Sequence, residues 1–256
     1  MIRKDPIRVL LDTMVLRHTA TTVSVYKKHS LRVASIEHTY NVLGMQRNIH
    51  HISSGNWIKN QVEALPTVMK QAREGNILLY RYIELEHETM KGNWFELRGG
   101  KGDLLKDIKI EHLPSAVERS KLYQMDMSEY LKKETLIEFC KFLLEVDFKE
   151  IEKRPRLLSK FTDFEKKNLK SLNRFKELCS SLDETHYPDA LHLWTAEVNG
   201  LDFFLTSDRK FINVMTQTSL AQLKIKPICP VDLLDFMGIK EREPMPINDY
   251  DFHYLA

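Results

Sequence analysis

Between residues 187 and 237 the chain alternates helical and extended signals with almost nothing in between, and no other feature narrows its fold as much. Tyr187-Pro188-Asp189-Ala190 opens a helix, with the proline where its missing N–H costs nothing, and Asn199-Gly200 offers a left-handed stop. Residues 203–206 predict an apolar strand ending at Ser207-Asp208. A helix follows from Arg209, then a strand at 225–229 and a short helix at 231–237. Such alternation predicts an α/β fold with a parallel sheet.

The first third follows the same grammar. Ile7-Arg8-Val9-Leu10-Leu11 is a continuous apolar strand that ends at Asp12, as suits a sheet covered on both faces. Residues 57–74 have helical spacing (Ile58, Val62, Leu65, Met69) and stop at Gly75; Pro66 inside the pattern predicts a kink or boundary. Residues 76–80 form a second strand, and Ile83-Glu84-Leu85-Glu86-His87-Glu88 begins another helix. Gly99-Gly100 marks a break. After it, 128–147 and 157–179 are helical, with stripes at Leu136, Phe139, Leu143 and Val146, and at Phe161, Phe164, Leu172, Phe175 and Cys179.

At 256 residues, 43% hydrophobic and 29% charged, the chain is globular, and no apolar run approaches the ~20 residues that span a bilayer. Residues 1–6 lack the apolar core of a signal peptide, and three distant cysteines suggest neither a disulfide framework nor a Cys-rich zinc site. The expectation is a soluble, cytoplasmic protein with no membrane attachment. The net charge of +2 is unevenly spread: residues 1–60 carry +6 and 151–180 carry +5, leaving −9 elsewhere. That asymmetry suits a protein that holds a polyanion, and equally a Lys-rich solvated helix at 151–180.

Asp12 and Asp208 each stand where an apolar strand ends, and Asp189 stands in the first turn of the helix before the second of those strands. Glu84 and Glu88 share a helical face just after a strand. In open α/β sheets ligands bind at the carboxyl edge, so these acids can share one crevice, where they would repel unless a cation sat between them. Hard oxygen donors match Mg²⁺ or Mn²⁺. Taken singly, each aspartate reads equally as a helix cap or turn residue, and the glutamates as exposed helix charges.

The segment Val9-Leu10-Leu11-Asp12-Thr13-Met14-Val15-Leu16 resembles the opening of PIN-domain nucleases. Tyr187-Pro188-Asp189-Ala190, followed by Leu205-Thr206-Ser207-Asp208-Arg209-Lys210-Phe211, resembles that family's closing signature, and residues 227–234 its last strand and helix. The resemblance implies a three-layer α/β/α fold with a central parallel sheet. It covers 1–92 loosely and 183–237 well, so the expected layout is one PIN-like domain over 1–239, with core 1–92 and 181–239, a helical insertion at 93–180 and a surface tail at 240–256.

By the same resemblance Asp12, Asp189 and Asp208 match the family's metal-binding aspartates. Glu88, with Gly92 four residues on, matches its glutamate; Glu84 is the second choice. Tyr80-Arg81-Tyr82 stands where the family usually carries Ser or Thr. The implied activity is metal-dependent hydrolysis of RNA phosphodiesters. Arg17 and Arg209 stand beside these acids and are candidate phosphate contacts, and Thr13 and Thr206 are candidate partners of the carboxylates or, alternatively, hydroxyls that cap their own backbone. His18 can face the site, His186 and His192 flank Asp189 at three-residue spacing, and His50-His51 lie in a loop; none makes a zinc motif. Two alternatives stand beside this: a catalytically weak domain that binds RNA or protein, and a DNA-directed nuclease of the same fold. A homodimer or a protein partner is compatible with either.

Overall fold

The computed structural model describes residues 5–33, 36–48, 55–91, 103–218, 222–246 and 251–254. Gly92, Gly99-Gly100 and His50-His51 lie outside them. A five-stranded, all-parallel sheet forms the centre, in the order β5 (Ile110–His112), β4 (Ile77–Arg81), β1 (Ile7–Leu11), β6 (Phe203–Leu205), β7 (Lys226–Ile228). The strands run as apolar stretches because both faces are covered, and successive side chains point to opposite sides.

Ile7, Val9 and Leu11 of β1, with Ile77, Leu79 and Leu205, face one layer. It is built from α1 (Thr13–His18), α2 (Asn56–Arg73) and the C-terminal helix α12 (Pro230–Phe236). Leu10, Tyr80 and Phe204 face the other layer, which contains α3 (Ile83–Met90), α10 (Tyr187–Val198) and the helices of the middle of the chain. Those helices are α4 (Met127–Tyr130), α5 (Lys133–Glu145), α6 (Phe148–Glu152), α7 (Pro155–Leu158), α8 (Asp163–Lys170) and α9 (Asn173–Cys179). Helix α11 (Arg209–Asn213) follows β6.

Four expectations change. The stretch after residue 93 is not wholly helical, because Ile110–His112 adds a parallel edge strand beside β4. The predicted helix at 157–179 is three short ones; Thr162 caps α8 through a reciprocal bond with Glu165, and Leu172 stands between α8 and α9. Pro66 neither ends nor divides α2, which runs through it. Leu65, Val68 and Met69 bury against the sheet there, and that packing outweighs the hydrogen bond the proline cannot donate. The tail is not loose throughout: Phe252–Tyr254 (β8) pairs with Gly44–Gln46.

The segment between α1 and α2 carried no predicted element and forms a long antiparallel hairpin, β2 (Thr22–Val33) with β3 (Ile36–Arg47). Its base is tied to the body by Asp103, whose Oδ2 accepts from the Thr21 amide at 3.2 Å and the Thr22 hydroxyl at 3.1 Å. Gly44 permits the pairing with β8, since a side chain there would collide with the Phe252 ring.

Helices α5, α9 and α10 pack one core with the sheet: Leu136, Phe139, Leu143, Phe175 and Trp194 belong to the cluster that holds Leu10 and Phe204. Deep in it, Arg119 donates to Glu84 Oε2 at 2.8 Å, both side chains almost completely buried. No helix of the described residues is long and apolar enough to cross a membrane.

Candidate functional site

The order β5-β4-β1-β6-β7 reverses direction between β1 and β6, and at such a switch point the connections leave to opposite sides and open a crevice at the carboxyl edge. A cavity of about 340 Å³ occupies that place, lined by Asp12, Glu88, Asp189 and Asp208, with Arg17, Lys91 and Lys133 contributing positive charge. Each acid arrives on a different element. Asp12 ends β1 and precedes α1, Glu88 lies on α3, Asp189 is in the first turn of α10, and Asp208 caps α11.

Each carboxylate has a defined partner. The Thr206 hydroxyl donates to Asp12 Oδ2 at 2.6 Å and accepts from the Asp208 amide at 3.0 Å, so one side chain links the two strand ends. Glu88 Oε1 lies 3.3 Å from His192 Nε2, and its Oε2 lies 3.3 Å from the Thr13 hydroxyl, which also sits 3.1 Å from the Leu85 carbonyl. His186 Nδ1 is 2.8 Å from Asp189 Oδ2. Asp208 Oδ1 accepts from the amides of Lys210 and Phe211 at 2.8 and 3.0 Å, a cap that leaves Oδ2 out of the helix.

Behind the acids stands a buried relay. His192 lies parallel to Phe204 with ring centroids 6.1 Å apart, and its Nδ1 lies 2.5 Å from the Tyr82 hydroxyl while Nε2 faces Glu88. Tyr82, where a Ser or Thr is usual in the resembled family, makes no side-chain cap to α3 and instead positions this imidazole.

Burial pushes the Asp12 carboxyl up to about 6; the Thr206 bond opposes the rise and the Glu88 charge adds to it. Burial likewise raises Asp189 against the pull of His186. For Glu88 burial also acts upward, but the adjacent His192 outweighs it and the carboxyl sits below its ordinary value. Burial acts downward on His192, yet Glu88 holds the imidazole above its ordinary value. Burial lowers the Lys91 ammonium.

Three other candidates take different places. Glu84 points away from the cavity into its pair with Arg119, where a free carboxylate would be costly to bury. Arg209 is exposed and does not line the cavity. His18 is buried with Nδ1 2.9 Å from the Ser207 hydroxyl, holding α1 to the end of β6. In the basic stretch, Lys166 and Lys170 face Asp163 and Glu152, and neither they nor Lys167 reach the cavity. The middle segment reaches it through Lys133 and Leu136 of α5 instead. Sequence reasoning assigned no role to Lys91, Lys133 or Tyr82, although Lys91 follows Glu88 by three residues, at the end of α3.

Among the described residues, no three His, Cys, Asp or Glu side chains are gathered into a ready cage for a metal ion. The donor set still fits a hard divalent cation. Mg²⁺ keeps several waters and binds through one or two carboxylates plus substrate phosphate, so four acids around one cavity supply enough. Compared with protein-family models, curated proteins and solved structures, the chain matches none.

Proposed function

We propose that the protein is a metal-dependent endoribonuclease with a PIN-like three-layer fold. One observation carries the reading: four acids from four elements line a single cavity at the switch point of a parallel sheet, among Arg17, Lys91 and Lys133. Asp12, Glu88, Asp189 and Asp208 would hold Mg²⁺ or Mn²⁺, which when bound supplies charge neutralisation at the scissile phosphate and a water acidic enough to attack at neutral pH.

The chain's own groups divide the remaining work. Thr206 donates to Asp12 and fixes its carboxylate at the end of β1 beside Asp208. Tyr82 and His192 hold Glu88 in place from behind. Arg17, Lys91 and Lys133 offer cationic contacts to the phosphates on either side of the break.

The test is incubation of purified protein with end-labelled single-stranded RNA and DNA, with Mn²⁺, Mg²⁺ or chelator. RNA cleavage that requires the metal and disappears in Asp12→Asn is expected. Cleavage of DNA in preference would move the substrate class. Cleavage of neither by a folded protein would overturn the nuclease reading in favour of a binding module. Internal partners on all four carboxylates favour that second reading, since such pairs hold the acids without a cation.

A further inference from the structure

Among the described residues, the β2–β3 hairpin carries five of the eight large hydrophobic side chains left exposed: Tyr26, Leu31, Ile36, Tyr40 and Leu43. Each strand is 12 residues long, so the ribbon reaches about 40 Å. Burial is confined to its base: Thr22, Gly44 and Arg47 are buried, whereas Tyr26, Lys27, Lys28 and Arg32 are exposed. Apolar surface of this size on a thin ribbon does not build a core, and natural proteins keep such surface for binding.

Charge selects the occupant. Residues 22–47 carry four Lys or Arg against one Glu, with His29 and His38 in addition. Register sets aromatic and cationic groups side by side. Tyr26, Lys28 and Arg32 share one face, with Glu37 opposite Arg32, while on the other His29 stacks against Tyr40 across the strands and Lys27 lies over the Phe252 ring. A second copy of the chain would bring the same positive charge to the contact, which disfavours self-pairing. Aromatic rings interleaved with cations along an open track match single-stranded nucleic acid: every base has a face to stack and every phosphate a charge to neutralise. The root of the ribbon lies five residues after Arg17, which lines the acidic cavity.

We infer that this hairpin is a binding arm for single-stranded RNA, which stacks a base on Tyr26, sets its phosphates against Lys28 and Arg32 along the same face, and leads the strand toward the cavity beyond its root. The substrate class rests on the ribonuclease reading above; the arm's affinity does not depend on cleavage.

The experiment is fluorescence anisotropy of a labelled, unstructured single-stranded RNA with the full chain in chelator, over a series of salt concentrations. The variant Lys28→Gln/Arg32→Gln should weaken binding and lower the log–log salt slope by about 1.4, two fewer phosphate contacts at roughly 0.7 each. Tyr26→Ala should weaken binding about fivefold or more with the slope unchanged. These side chains are exposed, so circular dichroism should be unaltered. Wild-type protein that fails to bind RNA, or both variants binding as wild type does, would overturn the inference. So would a concentration-dependent dimer that the tyrosine variant dissolves while RNA affinity holds, which would make the arm an interface between copies. Binding that needs the arm but never leads to cleavage with Mn²⁺ fails the nuclease reading alone; cleavage indifferent to both variants fails the arm alone.

Discussion

The Arg119 guanidinium lies 2.8 Å from Glu84 Oε2 with both side chains at most 3% exposed, and this contact decides which glutamate of α3 is left to the cavity. Arg119 also donates to the Tyr130 carbonyl at 2.8 Å and to the Thr135 hydroxyl at 3.1 Å. One residue therefore knots the middle segment of the chain to the sheet layer, while Glu88, one turn further along, faces the acids of β1 and α10.

The two glutamates should separate cleanly by mutation. Glu84→Gln leaves a buried guanidinium without its counter-charge and should cost about 3–5 kcal/mol of stability, with RNA cleavage per folded molecule unchanged. Glu88→Gln should keep stability nearly constant and abolish cleavage. Urea unfolding and cleavage rates on the same two proteins check both. A stable, inactive Glu84→Gln would reverse the assignment.

Asp12 predicts a pH profile of stability. Its folded pKa, about 6, lies above the ordinary 3.8, so the folded state holds this proton more tightly than the unfolded one. The associated stabilisation is complete below about pH 3.8 and lost as pH rises through 6. Asp12→Asn cannot ionise and should be more stable than wild type at pH 7.5, by about 1–3 kcal/mol, with the advantage gone at pH 4. Mn²⁺ should restore the wild-type melting temperature at pH 7.5 and leave that of Asp12→Asn unmoved. Thermal melts of both proteins across pH 4–8, with and without Mn²⁺, test this; equal stabilities at pH 7.5 would reject it.

The carboxyl edge of the sheet was legible in the sequence because two causes coincide there. Strands buried on both faces leave unbroken apolar runs, as in β1 and β6, and the acid that follows marks where each run meets solvent. The hairpin left no such trace. Around Tyr26-Lys27-Lys28-His29 both faces meet water, so nothing forces polar and apolar residues to alternate. Thr13 and Thr206 were legible as partners of the carboxylates because each stands within two residues of an acid. Tyr82 and Lys133 were hidden: Tyr82 and His192 stand 110 positions apart, and Lys133 belongs to a helix whose own periodicity speaks only of its buried side. Local pattern reports which face is dry, not which distant residue lies across a cavity.

Lys91 and Lys133 supply a prediction of their own. Each is expected to contact a phosphate, so Lys91→Ala and Lys133→Ala should raise KM several-fold, lower the salt slope of RNA binding by about 0.7 each and leave kcat within a few-fold. Steady-state kinetics at two salt concentrations distinguish this from a role in the chemical step, which would show as a loss in kcat at constant KM.

β6 completes the switch-point edge of β1, and it begins only at Phe203. Until residues 203–208 have been made, β1 has no neighbour on that side and Asp12 has neither Thr206 nor Asp208 beside it. A contact closed over so long a stretch of chain forms late. A chain that stops short of β6 therefore carries its hairpin and Asp12, Glu88 and Asp189, but not the edge on which they meet.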